Sequence, residues 1–455
     1  MSILNSTSAQ IEKVRGKLEE YFENGTNLFN LIGKSGEAVT VSRYLYRIPI
    51  MRYVGGQFRK FGANGGTLGI GTGMKLTHLL GGYFYSVYGI RVNTETKDTT
   101  RTSEQSVLNV FAEQLARIMS EVQIYADISL HTDGTGILTN GASAIAAGPP
   151  ATMTFAAATD FLGVHRLRQG MCVDVWNNAG STKRAAATAA PIIIESIDTI
   201  NKLVTFDQGV TALSTAGGGD IIAFRDMDIY GPAALTTMSA TWPATGVAGG
   251  LGGDSFRHGI PYSNNVTTSN YYLSVLKSSL PELLANRVNG ASGTITFNMI
   301  QRVIDGIIER RDESALSGLM GVAHMAQRTA VFNLGTAISN KQITGDSFGR
   351  NLDNHPSNNR YADRFEAGGI QFIISKRQAS DRVDLFNPSK WGRAQVRDMY
   401  FFGEDSGYPK TFPGRGSDGT LSAYEEAFMI QAFDWVNHDP GSGGYIDSLA
   451  LPALY

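Results

Sequence analysis

From Ala38 to Thr94 the chain carries seven bases, Arg43, Arg47, Arg52, Arg59, Lys60, Lys75 and Arg91, and no Asp or Glu. So one-sided a segment cannot neutralise itself, and must meet counter-charge elsewhere or leave its bases in water. Its two flanks are rich in β-branched and aromatic residues in alternation: Val39, Val41, Tyr44, Tyr46, Ile48 and Ile50 up to Met51, then Tyr83, Tyr85, Val87, Tyr88, Ile90 and Val92. Period-two patterning of this kind predicts strands. Between them glycines cluster from Gly62 to Gly82. Two strands flanking a long glycine-rich connection predict an extended β-hairpin, a flap too thin to bury itself.

The segments around the flap have helical spacing. Ile11, Val14, Leu18 and Tyr21 or Phe22 predict a short amphipathic helix stopped at Asn24-Gly25. After the flap, Val107 or Leu108, Phe111, Leu115, Ile118, Val122 and Tyr125 recur every three or four residues, with Thr102-x-x-Gln105 as a capping box. A proline- and glycine-free helix from there to His131 would run ~40 Å at 1.5 Å per residue. It reads as a rod that braces something.

Residues 148–227 predict a small β unit: strands at 170–176, 191–198, 202–206 and 219–224, with an Asp-x-x-Asn turn at Asp198 to Asn201 and a small-residue loop from Ala185 to Ala190. A glycine-rich connector follows near Thr236 to Gly253. Helices return at Ile300, Val303, Ile304, Ile307 and Ile308 and again from Gly318 to Phe332, then a strand at Ile370 to Ile374 and an apolar tail from Tyr445. Strands and helices in blocks make the fold class α+β, not a doubly wound alternation.

Glycine stands at 52 of 455 residues, about 11% against a usual ~7%, in clusters that suit long connections and close backbone approach. Apolar residues make up 42%, enough for real cores. The lone Cys172 forms no internal disulfide. No stretch reaches the roughly 18 to 20 apolar residues of a membrane span, and the polar start from Met1 to Glu20 has no signal-peptide core. No membrane partner is expected.

Charge is local. Net charge over the chain is −2, yet from Asp398 onward nine acids, Asp398, Glu404, Asp405, Asp418, Glu425, Glu426, Asp434, Asp439 and Asp447, face only Lys410 and Arg415. The flap and this C-terminal segment therefore carry +7 and −7. Bases interleaved with aromatics can bind nucleic acid. They can equally dock on an acidic surface of another copy, or stay solvated. The balancing acidic segment places docking first: Arg43, Arg47, Arg52, Arg59, Lys60, Lys75 and Arg91 against a surface including Glu404, Asp405, Glu425 and Glu426.

Signals for catalysis are weak. Gly69-Ile-Gly-Thr-Gly-Met-Lys75 completes neither phosphate-loop template. The histidines, His78, His131, His165, His258, His324, His355 and His438, include no pair within five residues, so no local zinc motif exists. No G-x-S-x-G elbow is present, although a triad of distant residues stays open. Asp312-Glu313 and Glu404-Asp405 read as solvated acids. Asn5-Ser-Thr7, Asn24-Gly-Thr26 and Asn265-Val-Thr267 fit the glycosylation pattern without an export signal beside them. No catalytic residue, cofactor or metal ligand is assigned.

The order of parts resembles the major capsid proteins of tailed bacteriophages, with the HK97-like fold. Met1 to Glu37 is similar to their N-terminal arm, Ala38 to Asn93 to their extended loop, and Thr102 to His131 to their spine helix. The stretch Leu167 to Val175 leading to Ile197 to Phe206 and Gly219 to Ile222 is similar to a β insertion of many such chains. The resemblance implies an arm at 1–37, extended loop at 38–98, spine helix and start of a peripheral domain at 99–147, β insertion at 148–235, axial domain at 236–380, and a completing segment at 381–455. It further implies self-assembly as hexamers and pentamers into an icosahedral shell around double-stranded DNA. Expected partners are further copies, scaffolding, portal and decoration proteins, and expected locations the virion and, during assembly, the host cytoplasm. Relatives that cross-link a loop lysine to an asparagine direct attention to Lys60 and Lys75, but neither sits in an identifying motif. A helix beginning near residue 102 leaves no room within this numbering for the removable scaffolding segment of about a hundred residues that some relatives carry, so scaffolding is expected to be a separate protein, to have been removed before residue 1, or not to be used. Other classes to separate from a shell subunit are a tail or fibre chain, which would show repeats, and a hydrolase with dispersed catalytic residues.

Overall fold

The computed structural model describes residues 28–35, 38–42, 45–53, 55, 73–93, 110–134, 136–141, 145, 151–155, 163–177, 183, 184, 186, 191–198, 201–210, 219–225, 258–268, 271–331, 364–367, 369–402, 412–415 and 421–451. The N-terminal helix, the flap tip, the start of the long helix, most of the loop at 185–190 and the connector at 236–253 lie outside the described residues.

In chain order the first strands are β1 (Val39–Ser42), β2 (Leu45–Tyr53), β3 (Lys75–Gly82) and β4 (Phe84–Asn93), followed by helix α1 (Val110–Ser129). Next come β5 (Ile137–Asn140), β6 (Ala151–Thr154), β7 (Cys172–Trp176), β8 (Ile192–Asp198), β9 (Leu203–Phe206) and β10 (Ile221–Phe224). The one-turn helix α2 (Ile260–Ser263) leads to the short pair β11 (Tyr271–Tyr272) and β12 (Val275–Leu276), then β13 (Asn286–Asn289) and helix α3 (Phe297–Arg311). The last strands are β14 (Met320–Ala323), β15 (Arg364–Ala367), β16 (Ile370–Ile374), β17 (Val383–Phe386), β18 (Trp391–Phe401), β19 (Phe412–Arg415), β20 (Leu421–Asn437) and β21 (Gly444–Asp447). The result is a mixed fold of helices and mostly antiparallel sheets.

The chain divides into two compact units. The smaller holds residues Met1–Leu31, Phe84–Leu130 and Gln395–Phe433. Here β4 runs antiparallel to β20, from Phe84 opposite Phe433 to Asn93 opposite Tyr424. Tyr88, Ile90 and Met429 point to one face and pack with Met399 and Phe401 against Ile118 and Val122 of α1. Ile118, Val122 and Met429 are the buried members, and fully burying a side chain of this kind is worth roughly 1.5–3 kcal/mol. At 20 residues α1 spans ~30 Å. Asp127 near its end accepts the backbone N–H groups of Leu28 (3.1 Å) and Phe29 (2.9 Å), which pins the arriving chain to the helix.

The larger unit holds Ile32–Tyr83, His131–Ala394 and Asp434–Tyr455. Its central sheet has the order β13-β21-β17-β14-β16-β15 and is mixed, with β13 parallel to β21 and β14 parallel to β16. Helix α3, capped by Thr296 accepting from Met299 N–H, lays Ile300, Val303, Ile304 and Ile307 on Phe372, Val383, Leu385 and Ile446. A second sheet, β5-β10-β7-β8-β9-β6, is antiparallel throughout and corresponds to the β unit expected at 148–227, extended by β5. Its buried Arg184 and Asp220 form an ion pair, and Asp220 also accepts Ile145 N–H at 2.7 Å.

Two expectations need correction. The strand at Tyr83 to Val92 does not pair with that at Val39 to Met51: β2 pairs with β3, and β4 goes to β20. β4 is drawn there because Tyr88 and Ile90 bury on α1, whereas β3 was hidden by its glycines. The helix expected from Gly318 is preceded by strand β14, whose Gly321, Val322 and Ala323 are buried within the central sheet, and helix begins only at 325.

Candidate assembly interface

The flap is the three-stranded sheet β1-β2-β3 of the larger unit. Along β2 and β3 the register sets Tyr46 opposite Gly81, Ile48 opposite Leu79, Pro49 opposite His78 and Met51 opposite Leu76. Directly opposed residues share a face, so Tyr46, Ile48 and Leu79 form an inner face, all three buried. Val39, Arg47, Pro49, Met51, Leu76 and His78 form the outer face, every one exposed.

At its root the inner face is locked. The Tyr46 hydroxyl donates to Asp434 Oδ2 at 2.5 Å, and His258 Nδ1 stands 2.5 Å from the same oxygen. Burial foremost, with Asp434 beside it, raises the Tyr46 phenol well above its ordinary value. Gly81 permits this seat, since a Cβ there would stand 2.2 Å from the Tyr46 ring. The Tyr83 ring packs tilted against Tyr46, centroids 5.2 Å apart, and its hydroxyl meets Thr40 Oγ1 at 2.7 Å. Leu80 N–H donates to Ser274 Oγ at 2.9 Å, at the tip of the β11–β12 turn.

The outer face is unlike a solvated one. Met51 is 56% exposed, Leu76 51%, Val39 53% and the neighbouring Met74 54%. Large apolar side chains grouped in this way mark an interaction surface. Arg47 and Lys75 lie among them, exposed and without an ion-pair partner among the described residues. Two other bases named from the sequence are engaged within the chain: Arg52 meets Glu282 at 3.4 Å, and Arg91 meets Glu426 at 2.6 Å and lies 4.0 Å over the Tyr424 ring. Glu425, beside Glu426 on β20, stands opposite Val92 and is half-buried. Arg43, Arg59, Lys60, Glu404 and Asp405 lie outside the described residues.

The glycine-rich run ending at Lys75 leads into strand β3, not into the helix N-terminus that a phosphate loop requires. Among the described residues no group of three or more His, Cys, Asp or Glu is placed to hold a metal ion, and no helix is long and apolar enough to cross a membrane. One chain of polar contacts has the outline of a catalytic triad: Ser375 Oγ is 3.0 Å from His131 Nε2, and His131 Nδ1 is 3.1 Å from Gln378 Oε1. Gln378 Nε2 donates to Asp384 Oδ2 at 2.7 Å, and Arg382 clamps Asp384 with two bonds of 2.8 Å. Burial, then Arg166 and Arg377, pull His131 down to about 3. Such an imidazole cannot retain a proton near neutrality, so it is unsuited to activate Ser375 as a general base. Within the larger unit the contacts tie His131 to the segment joining β16 and β17.

No protein-family model matches the sequence, and no curated protein matches it. Solved structures similar to it over nearly its full length are capsids. The chain of the cyanophage A-1(L) capsid asymmetric unit is 11% identical, with 99% of each chain covered and a TM-score of 0.47. A chain of the capsid of an empty GTA particle is 8% identical over 95% of this chain and 93% of that one, with a TM-score of 0.45. One from the bacteriophage PhiM1 mature capsid is 8% identical over 96% and 91%, with a TM-score of 0.44.

Proposed function

We propose that this chain is a major capsid protein that assembles as hexamers and pentamers into an icosahedral shell around double-stranded DNA. The observation that carries this is the flap. Its root is fixed by Tyr46, Asp434 and Gly81, while its outer face offers Met51, Leu76 and Val39 with Arg47 and Lys75 to something outside the chain. A single subunit gains nothing from such a surface, which costs solubility. A closed assembly of many copies covers it, and self-complementary packing then makes the apolar exposure useful.

In this reading residues 1–37 are an arm, 99–147 hold the spine helix, to which α1 belongs, 148–235 are a β insertion, 236–380 the axial domain, and 381–455 the completing segment. The extended loop is 38–82, shorter than the sequence pattern suggests, because β4 is a strand of the smaller unit. Scaffolding, portal and decoration proteins would be partners, and the virion, after assembly in the host cytoplasm, the location. Sedimentation velocity with electron microscopy of the purified chain tests the proposal. Closed particles of megadalton mass are expected, and a monomer or small oligomer under every assembly condition would overturn it.

A further inference from the structure

The flap is anchored twice on the stretch of chain around α2, β11 and β12. On β2, Asp434 joins Tyr46 to His258. On β3, Leu80 N–H donates to Ser274 Oγ in the turn between β11 and β12. In an antiparallel pair, residues whose N–H and C=O groups face the partner alternate with residues whose groups face away. The bond to Ser274 makes Arg47–Leu80 a pair of the outward-facing kind, and with it Pro49–His78, while the Leu79 amide between them turns in to β2. Pro49 therefore leaves its outward position on β2 without an N–H, and proline on an edge hinders strand addition. The Leu80 amide owes its protection to the anchor and not to the β2–β3 ladder.

Lys277 bolts the two anchors together. It follows β12 directly, and its Nζ donates back to the carbonyls of Tyr262, Ser263 and Asn265 at the end of α2, the helix that begins just after His258. The Tyr262 hydroxyl ties the same two pieces again, accepting Leu273 N–H at 3.2 Å and donating to Tyr271 O at 2.9 Å. The turn does not hold itself: Leu273 sits at φ 50°, a left-handed conformation that its surroundings must enforce on a residue with a side chain.

Lys277 is fully buried, and facing it are the rings of Tyr262 on α2 (6.0 Å) and Tyr272 on β11 (5.8 Å). Arg382, itself bound to Asp384 of β17, adds a like charge. Among the described residues no acid pairs with Lys277. Three carbonyls match the three N–H donors of an ammonium, yet a buried charge without an opposite charge stays costly, and water takes it back wherever the structure opens. We infer that proton uptake by Lys277 releases the flap: the charged Nζ draws toward water, the β11–β12 hairpin parts from α2, and Ser274 frees Leu80. Burial first, and Arg382 second, lower the ammonium to about 7 from 10.5 in the closed arrangement. An opening that returns Nζ to water thus takes up a proton between pH 7 and 10.5, so it is suppressed as pH rises through that window and fully available below it. The inference stands apart from the shell reading, and its test needs only the unassembled full chain.

Hydrogen exchange between pH 6 and pH 9 supplies that test, read as protection factors so that the intrinsic rate divides out. Over the two units above pH 7 one proton allows a gain of about a hundredfold, and the Leu80 amide is expected to gain at least tenfold. The Leu79 amide, in the ladder of a thin flap that opens locally, is expected to change less than twofold. No gain at Leu80, or an equal gain at Leu79, overturns the inference. In Lys277→Met the Leu80 protection should stay flat within twofold across the range. A response that persists there belongs to His258 and Asp434 at the other anchor, and overturns the assignment to Lys277. Should Lys277→Met not fold, wild-type chain carrying carbon-13 at the lysine Cε decides: one lysine must titrate near pH 7, where the Leu80 protection begins to climb, and no lysine titrating below pH 9 overturns the inference.

Discussion

Individual side chains set an unusual dependence of stability on pH. Lys277 is fully buried, and its Nζ donates to the carbonyls of Tyr262 (3.5 Å), Ser263 (3.3 Å) and Asn265 at the end of α2. Burial first, and Arg382 second, lower its ammonium to about 7 from an ordinary 10.5. Above pH 7 the folded chain has released this proton while the unfolded chain holds it up to 10.5. The unfolded state thus binds more protons in that window, and stability rises with pH across it. The buried His131 and His324 act alike further down, lowered to about 3 and 4 from 6.5, chiefly by burial, so stability falls as pH drops through 6.5. Tyr46 and Tyr272, both raised by burial, reverse the trend only above pH 10, where the unfolded chain loses phenol protons that the fold retains. Urea midpoints are therefore expected to climb from pH 4 to about 9.5. Each pH unit separating folded from unfolded titration is worth about 1.4 kcal/mol. Lys277→Met should flatten the part above pH 7 and leave the acid limb, and an unchanged slope would refute the assignment.

Among elements, the flap illustrates how a strand guards itself. Pro49→Thr would give β2 the outward donor that it lacks, at a position that fits a strand in every other respect. The expected outcome is an unchanged unfolding midpoint with irregular aggregates in place of uniform particles, read by light scattering and microscopy. Uniform particles would show that the missing donor has no such role. The existence of a flap was legible from alternation and one-sided charge, and the body of α1 from its three-and-four spacing. Its pairing was not, because Lys75 to Gly82 reads as glycine-rich connection and takes its strand character from β2. Nor was β20: Phe428 and Ile430 on one face and Ala427, Met429 and Phe433 on the other blur any period-two signal. The candidate contact was legible only as a charge pattern. Nothing in the sequence distinguished Arg52 and Arg91, paired within the chain, from Arg47 and Lys75.

For the whole molecule, that distinction decides which charges can steer one copy to another. Arg52 has Glu282 and Arg91 has Glu426, and reversing either would break an intrachain pair and mix folding effects with assembly effects. Arg47 and Lys75 are exposed on the flap and pair with no acid among the described residues. If flaps find neighbours through the charge asymmetry between segments 38–94 and 398–455, Arg47→Glu with Lys75→Glu should slow particle formation at least tenfold at low ionic strength. Surface changes away from packed groups typically move stability by no more than about 0.5 kcal/mol, so the unfolding midpoint should hold. Salt supplies the control. Near 1 M the screening length falls to about 3 Å, against about 30 Å at 0.01 M, so wild type and variant should converge as steering is lost while burial of Met51, Leu76 and Val39 still drives association. Equal rates at low salt would assign the contact to apolar burial alone. A defect that persists undiminished in high salt would place these side chains in a direct contact where screening does not reach.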